Sequence, residues 1–386
     1  MERAEALRRE LDSAREQTDL LFGLISPKAI YQRPVSERHR LIFYLGHFDA
    51  FDWNLLARRG MGEGGFHPEF DSLFERGIDP PPGQAPVDTA SDWPGRQEVE
   101  QYNMRTREWI DSHLGQMDPH LAQMAIEHRL MHAETFAYLL HNLPYKQKRG
   151  GNLPEASRRD APVNPLVRVS GGAVTLGAPR ERFGWDNEYL AHDVATPDFA
   201  ITKYKISNGE YLRFVQEGGS TPHFWVREGE DWFYRGMFGK TPLPPSHAVW
   251  VTWNQAEAYA EWRGMSLPTE AQFQLAASRT KPHAERDNFG FHRWDPIAVD
   301  ASNGGPHASQ MTGNGWEWTR DVFAPFEGFQ PHPFYSGYSA DFFDGNHYVL
   351  KGASPRTAAR LTRAAFRNWF RPEYPHMYAG FRLVEN

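Results

Sequence analysis

The stretch HLAQMAIEHRLMHAETFAYLLHN, residues 120–142, contains neither glycine nor proline. Pro144 follows it closely, and proline cannot continue a helix because its nitrogen carries no hydrogen and its ring clashes with the preceding turn. The sequence therefore predicts a helix from about His120 to Asn142, with a firm end.

Three further stretches among the first 144 residues have apolar residues at the helical period. They are residues 2–24, about 37–59 and about 97–116, and a stretch rich in Gly and Pro separates the second from the third. Four helices of this length are typical of a bundle. We therefore predict a four-helix bundle over residues 1–150.

A polar segment, KQKRGGNLPEASRRDAPVNP, follows Tyr145, and its breakers indicate a linker, which we place at 151–165. Beyond it the signals are short. VRVSGGAVTLG reads as two strands about a glycine turn, and FAITKYKIS, VLKGAS and YAGFRLV each indicate a strand. Helices are expected at about 207–217 and 254–278. Residues 166–386 thus form a second domain, and the predicted fold class is α+β.

Composition excludes several classes of protein. The 386 residues include no cysteine, which excludes disulfides, thiolate metal sites and iron–sulfur clusters. A net charge of −7, spread along the chain, does not favour nucleic acid as a partner. The first residues, MERAEALRRELDSAREQ, lack the apolar core of a signal peptide, and no run approaches the roughly 18 apolar residues of a membrane span. We expect a cytoplasmic protein without membrane contact.

Two histidines of the 120–142 helix, His128 and His132, are four residues apart and so project from one face, one turn apart. Two ligands of one metal ion need this arrangement. At about 100° per residue, Glu134 and His141 point away from that face. The best third candidate is His47, in GHFDAFDWN of the second helix, because bundle metal sites take ligands from facing helices.

The histidine pair also has an ordinary explanation, as two partly buried or surface residues of an amphipathic helix, and this applies more strongly to His47. A three-histidine site with open positions serves zinc hydrolysis, thiol transfer or iron–oxygen chemistry. The spacing does not choose among these metals.

The segment HRLMHAE, taken with LGHFDAF upstream, resembles the DinB-like domain of the ergothioneine and ovothiol sulfoxide synthases. The second half resembles the formylglycine-generating enzyme or sulfatase-modifying-factor domain, a C-type-lectin-like fold. The stretches that carry this second resemblance are FGWDNE, ITKYKISNGEYLRFV, AVWVTWNQAEAYAEWRGMSLPTEAQFQLAA, MTGNGWEWTRDVFAP, VLKGAS and GFRLV. True formylglycine-generating enzymes hold copper with a cysteine pair, so the absence of cysteine favours the synthases.

The resemblance implies that His47, His128 and His132 bind Fe(II), with O2 as co-substrate. It implies that Asn368 and Trp369, in RNWF, bind hercynine, the trimethylated histidine; Trp369 can instead be a core aromatic. Relatives that oxidise γ-glutamylcysteine use a tyrosine as proton donor in the loop after W-E-W. Here the candidates are Tyr335 and Tyr338, and either can simply be packing. GNGWEW and its neighbours also resemble stretches that hold structural calcium, or pack without it.

Three departures lie on the side of the sulfur donor. Members that use γ-glutamylcysteine have an acidic residue after the N-W pair and a basic one four further on, where this chain has Phe370 and Tyr374. Met131 replaces the glutamine usual before the last ligand. The donor side is therefore less charged and more aromatic, which suits a sugar ring.

The sequence-based hypothesis is thus an O2-dependent non-heme iron enzyme that forms a C–Se or C–S bond at the imidazole C2 of hercynine. We favour the selenoneine synthase branch with a selenosugar donor. One alternative is an ergothioneine-type sulfoxide synthase that uses cysteine or γ-glutamylcysteine. Further alternatives are a DinB-type thiol transferase, which performs no oxidation, and a non-enzymatic binding protein.

Overall fold

The computed structural model describes residues 2–77, 86–154, 156–302 and 305–385. The chain divides into two compact units, Met1–Asn152 and Leu153–Asn386. The division falls inside the predicted linker, 151–165, of which Glu155 lies outside the described residues.

The described part of the first unit is helical, with five α-helices. They are α1 (Glu2–Gly23), α2 (Leu41–Asp52), α3 (Pro68–Arg76), α4 (Arg96–His113) and α5 (Pro119–Asn142). A π-helical segment, Trp53–Arg59, continues α2 directly. Helices α1, α2 with its extension, α4 and α5 lie where the sequence predicts four helices. The DinB-like character of this unit stays a prediction.

Helix α3 is an addition to the four predicted helices. Pro68 begins it, at a position where the missing N–H is not needed. The His67 side chain caps it by accepting a hydrogen bond from the backbone N–H of Phe70 at 3.3 Å. These nine residues lie within the stretch that its Gly and Pro content marks as a loop. The glycines and prolines lie on either side of this helix rather than within it, apart from Pro68 at its first position.

Helix α2 is the interior of the first unit, since all twelve of its residues are buried. It packs against α3, α4 and α5, while α1 also packs against α5. A helix that is apolar on every side can be stable only when other helices cover it. The polar side chains of α2 are therefore carried into the interior, where each must find a partner.

The described strands of the second unit form four sheets. The strands are β1 (Leu166–Val169), β2 (Gly172–Leu176), β3 (His192–Thr196), β4 (Phe199–Thr202), β5 (Trp225–Glu228), β6 (Asp231–Arg235), β7 (Lys240–Pro242), β8 (Gly315–Val322), β9 (Tyr348–Ala353), β10 (Asn368–Phe370), β11 (Ala379–Gly380) and β12 (Val384–Glu385). The sheet orders are β1-β4-β12, β2-β3, β5-β6-β7 and β10-β9-β8-β11. Strand β11 runs parallel to β8, and the other pairs are antiparallel.

The stretch VRVSGGAVTLG does contain two strands, β1 and β2, but they do not pair with each other. Strand β1 pairs with β4, and β2 pairs with β3. The two glycines thus pass the chain from one sheet to another. Pairing of this kind depends on partners 16 to 36 residues away, which a local pattern does not contain.

The helices of the second unit are α6 (Asn208–Gln216), α7 (Trp253–Trp262), α8 (Glu270–Ala277) and the short α9 (Ala284–Asp287). Ser207, Thr252 and Thr269 cap the first three in capping boxes. The stretch expected to be helical from 254 to 278 is thus two helices. Gly264, at φ +64°, ends the first, and Pro268 lies before the second.

Strand β10 is the edge strand that carries the predicted hercynine residues. Asn368 pairs with Leu350 of β9, and Trp369 pairs with Val349. Both partners are completely buried, so β10 is fixed against the core of the unit. In the part of the chain that the structure describes, no helix is both long and apolar enough to span a membrane.

Candidate metal centre and aromatic wall

The structure brings the three predicted ligands together in the first unit. His47 lies on α2, whereas His128 and His132 lie on α5. The ring centres are 5.1 Å apart for His47 and His128, 4.8 Å for His47 and His132, and 4.4 Å for His128 and His132. One nitrogen of each ring lies within 4.8 Å of the others. The three side chains are therefore within reach of one ion.

Phe74, at the end of α3, orients the His47 ring. Nδ1 of His47 lies 2.7 Å from the backbone carbonyl oxygen of Phe74, so Nδ1 carries the proton and donates this hydrogen bond. The other ring nitrogen, Nε2, is left with a bare lone pair, buried and without a hydrogen-bond partner among the described residues. Metal-binding histidines have this arrangement, with one nitrogen held by a carbonyl and the other presented to the ion.

Burial keeps all three imidazoles neutral. It lowers the pKa of His47 to about 4 and is opposed by the hydrogen bond to Phe74. Burial also lowers the pKa of His128 and His132 well below the ordinary value, and the neighbouring rings lower it further. Only a neutral imidazole has a lone pair to give to a metal. The protein thus holds these side chains in the binding form near neutral pH.

Aromatic rings enclose the cluster. Phe51 is stacked on His128 with 3.3 Å between ring centres and 6° between planes, and Phe43 is stacked on His47 at 4.6 Å. These rings restrict the imidazoles and exclude water from their faces. Three neutral nitrogen ligands in an apolar surrounding suit iron, zinc, copper or nickel, and they leave positions open for other ligands. The residues fit a mononuclear metal, although they do not select one.

Three charged side chains next to the ligands escaped the sequence analysis. Arg129 follows His128 and is completely buried, and its guanidinium lies between the carboxylates of Asp49 and Asp52. A signal exists in the sequence for the two carboxylates, because Asp49 and Asp52 interrupt an otherwise apolar stretch of helix, FDAFDW. A charge in such a position requires a partner inside the protein.

In the second unit, Trp369 is part of an aromatic wall, which we define as Trp369, Phe323, Tyr338 and Trp185. Trp369 is stacked on Phe323, with 4.3 Å between centres and 5° between planes. Tyr338 meets Trp369 edge to face at 5.3 Å and is itself stacked on Trp185 at 4.1 Å. Trp369 stays half-buried. It therefore retains free aromatic surface although neighbours hold its orientation.

The two candidate tyrosines differ in their placement. Tyr338 is 9% exposed and lies in the aromatic wall, whereas Tyr335 is half-buried, 5.7 Å from Tyr338 between ring centres. The loop that carries them is anchored by Ser339, whose hydroxyl donates to the carboxylate of Asp186. The structure thus places Tyr338, rather than Tyr335, next to Trp369.

The predicted donor residues are divided between the two units of the chain. Phe370 and Tyr374 are stacked on each other in the second unit at 5.1 Å, with 23° between planes. Met131 is half-buried on α5 of the first unit, next to His132. Asn368 accepts a hydrogen bond from the backbone N–H of Trp369 at 2.9 Å through its side-chain oxygen, which leaves its amide hydrogens for other partners.

The segment GNGWEW has packing roles. The Asn314 side chain accepts from the backbone N–H of Ile297 at 2.8 Å and donates to Gln310 at 2.9 Å. Glu317 is completely buried and forms ion pairs with Lys205 and Arg382. Oxygen atoms occupied in this way serve the protein interior, so nothing here supports the structural calcium that the sequence suggested.

Comparison with known proteins identifies the family. Residues 152–386 match the sulfatase-modifying factor enzyme 1-like domain. The chain therefore belongs to the sulfatase-modifying factor enzyme 1-like family. Its similarity to a protein named hercynine oxygenase also makes it a member of the ergothioneine-type family.

Three relatives carry this conclusion further. The chain is 30% identical over 304 residues to hercynine oxygenase of Mycolicibacterium smegmatis, which covers 68% of this chain and 70% of that protein. It is 26% identical to ergothioneine biosynthesis protein 1 of Schizosaccharomyces pombe and 23% identical to that of Neurospora crassa, each over 94% of this chain. The chain spans about half the length of these two fungal relatives, 54% and 56%.

Proposed function

We propose that this protein is a hercynine oxygenase of the ergothioneine type, which uses Fe(II) and O2 to join the sulfur of a thiol donor to C2 of the hercynine imidazole. The observation that carries the proposal is the cluster of His47, His128 and His132, of which His47 and His128 are buried and His132 is half-buried. The relatives of this chain are named for hercynine oxygenation and ergothioneine biosynthesis.

The three histidines would hold the iron, which supplies the redox chemistry with O2 when bound. The chain's own contribution is placement. The Phe74 carbonyl fixes the tautomer of His47, and the ring of Phe51 keeps water from one face of His128. Neutral ligands held in this way need no proton release before the metal binds.

Trp369 and Asn368 would hold hercynine. A quaternary ammonium has no hydrogen to donate, so an aromatic face is a suitable partner, with an attraction of about 0.5 to 2 kcal/mol. Trp369 is half-buried, so part of its indole stays exposed, and its stack on Phe323 prevents the indole from rotating away. The free amide hydrogens of Asn368 suit the carboxylate or imidazole nitrogen of the same substrate. Tyr338, in contact with Trp369, is our candidate for moving a proton.

The donor is the point on which the two hypotheses differ. The relatives favour the ergothioneine-type alternative, with cysteine or γ-glutamylcysteine, over the selenosugar that the uncharged donor residues suggest. One structural observation favours the selenosugar as a second candidate. Phe370 and Tyr374 form an aromatic stack that offers no ion pair to a charged peptide, whereas sugar rings pack well on aromatic faces.

The test is an assay of the purified protein with Fe(II) and hercynine, in air and without oxygen, against cysteine, γ-glutamylcysteine and a selenosugar. Mass spectrometry identifies the product. We expect a hercynine-derived sulfoxide in air and no product without oxygen. If the selenosugar is the one donor that gives a product, and that product contains selenium, the second candidate is established instead.

Two outcomes would contradict the proposal. Thiol transfer without oxygen consumption would indicate the DinB-type transferase, which needs no redox step. A stable protein that binds no divalent metal would indicate a binding protein in which the histidines only pack. Metal analysis of the purified protein separates this last case before any substrate is needed.

A further inference from the structure

A buried ionic cluster lies beside the histidines, formed by Arg129, Asp49 and Asp52. One terminal nitrogen of Arg129 lies 2.7 Å from a carboxylate oxygen of Asp49 and 2.7 Å from one of Asp52. All three side chains are at most 1% exposed. Arg129 belongs to α5, directly after His128, and Asp49 lies two residues after His47 on α2.

The cluster joins the four long helices of the first unit. From α1, the hydroxyl of Thr18 accepts a hydrogen bond from Arg129 at 3.3 Å. From α4, the Nε of Arg107 donates to Asp49 at 3.0 Å. The Phe48 ring is near both the cluster and the ligands, since the Arg129 guanidinium lies 5.4 Å from its centre and the His132 ring 6.4 Å from it.

A buried ion pair contributes little net stability, because removing both charges from water offsets most of their attraction. What it does supply is specificity of alignment, since any shift that separates the charges leaves them unpaired in the interior. Sliding α2 along α5 by one turn displaces its side chains by about 5.4 Å. That distance exceeds the 4.8 Å within which the ligand nitrogens lie.

We propose that Arg129, Asp49 and Asp52 set the alignment of α2 against α5 and thereby hold His47 within the coordination sphere of His128 and His132. They are positioning residues, since none contributes a ligand atom to the histidine cluster. The inference rests on the metal site of the proposed function. It adds that the spacing of the ligands depends on this ionic cluster, which is not itself part of the ligand set.

The test replaces all three residues of the ionic cluster by apolar residues of similar size, in the triple variant Arg129→Met, Asp49→Leu, Asp52→Leu of the full chain. Arg107 loses Asp49 in this variant, but in the wild-type structure it also pairs with Asp19 at 2.7 Å, which remains available to it. Each protein is freed of metal and titrated with Co(II), whose visible absorption reports the geometry of its ligands. Thermal unfolding is measured in parallel. The control is Arg8→Met, which breaks an ion pair with Asp111 in the same unit.

We expect the triple variant to unfold within a few degrees of the wild type, as apolar replacements of buried ion pairs often do. Its Kd for Co(II) should rise about 10- to 100-fold, with an altered absorption band, as when supporting contacts of metal ligands are lost. The control should retain the wild-type Kd and spectrum. A folded triple variant with wild-type Kd and spectrum would overturn the inference.

If the triple variant does not fold, the single variant Asp52→Leu decides, because Asp49 remains to balance Arg129. We expect the Kd for Co(II) to rise more than twofold; a Kd within twofold of the wild type, with an unchanged spectrum, would refute the inference. Failure of the wild type to bind Co(II) would instead refute the metal site itself. The two failures are thus distinguishable.

Discussion

Replacement of Gly46 by alanine should weaken metal binding although Gly46 is not a ligand. Gly46 lies in the buried helix α2, directly before His47. A Cβ atom at this position would lie 2.5 Å from the ring of Phe74, whereas ordinary contact begins near 3.4 Å. The ring must therefore move by about 0.9 Å, and Phe74 is completely buried, so the movement is passed to the backbone of α3.

The backbone of Phe74 is what orients His47. A movement of this size along the 2.7 Å hydrogen bond would lengthen it to about 3.6 Å, beyond the range of a hydrogen bond. Overpacking costs about 1 to 3 kcal/mol, and alanine returns about 1 kcal/mol as the better helix former. Stability should thus fall by at most about 2 kcal/mol, while loss of the support to His47 should weaken metal binding about 10- to 100-fold.

The assay titrates metal-free Gly46→Ala with Co(II) and follows its thermal unfolding. Gly23→Ala is the matched control, because a Cβ atom there meets nothing within 4 Å; its Kd for Co(II) should equal that of the wild type. The reasoning fails if Gly46→Ala binds Co(II) within twofold of the wild type, whatever its stability.

Three other predictions follow from the two units. His132→Ala should abolish both iron content, measured by elemental analysis, and turnover; retained iron and full activity would remove His132 from the site. Trp369→Leu should raise the KM for hercynine about 2- to 30-fold, as loss of a cation–π contact implies, whereas Phe323→Leu, which removes only the stacking partner, should raise it less; equal effects would indicate packing alone. His223→Gln should flatten the loss of stability in acid. Burial lowers the pKa of His223 to about 3, and the charge of Arg235 lowers it further. Between pH 6.5 and 3 the unfolded chain therefore binds a proton at this histidine that the folded chain does not bind. As the pH falls through this range, the free energy of unfolding of the wild type should decrease by up to about 1.4 kcal/mol per pH unit more than that of the variant. Unfolding midpoints at pH 7, 6 and 5 test this, and parallel curves would contradict it.

Helix existence was predictable where the pattern was long. Residues 120–142 carry their own boundaries, since no breaker interrupts them and Pro144 ends them. Helix α3 was hidden because nine residues between glycines and prolines carry too little periodicity to be recognised. Gly264 and Pro268 could have predicted the division of 254–278 into α7 and α8. The apolar residues on both sides of them continue the helical pattern, and this favoured a single helix.

The sequence by itself determined that His128 and His132 share one face, because helical geometry is local and depends only on their spacing. It also determined the family, through motifs spread over most of the chain. That His47 lies close to this pair could only be inferred from other helix bundles, in which metal ligands come from facing helices. Its position depends on how α2 packs against α5.

Tertiary structure alone decided what supports the site. The Phe74 carbonyl, the stack of Phe51 on His128 and the Arg129 cluster each join segments that are far apart in sequence. A backbone carbonyl has no residue type that a sequence pattern can single out. Whether a charge inside an apolar helix finds a partner depends on which helix faces it. For these physical reasons the ligands could be named from the sequence, while the interactions that hold them required the folded chain.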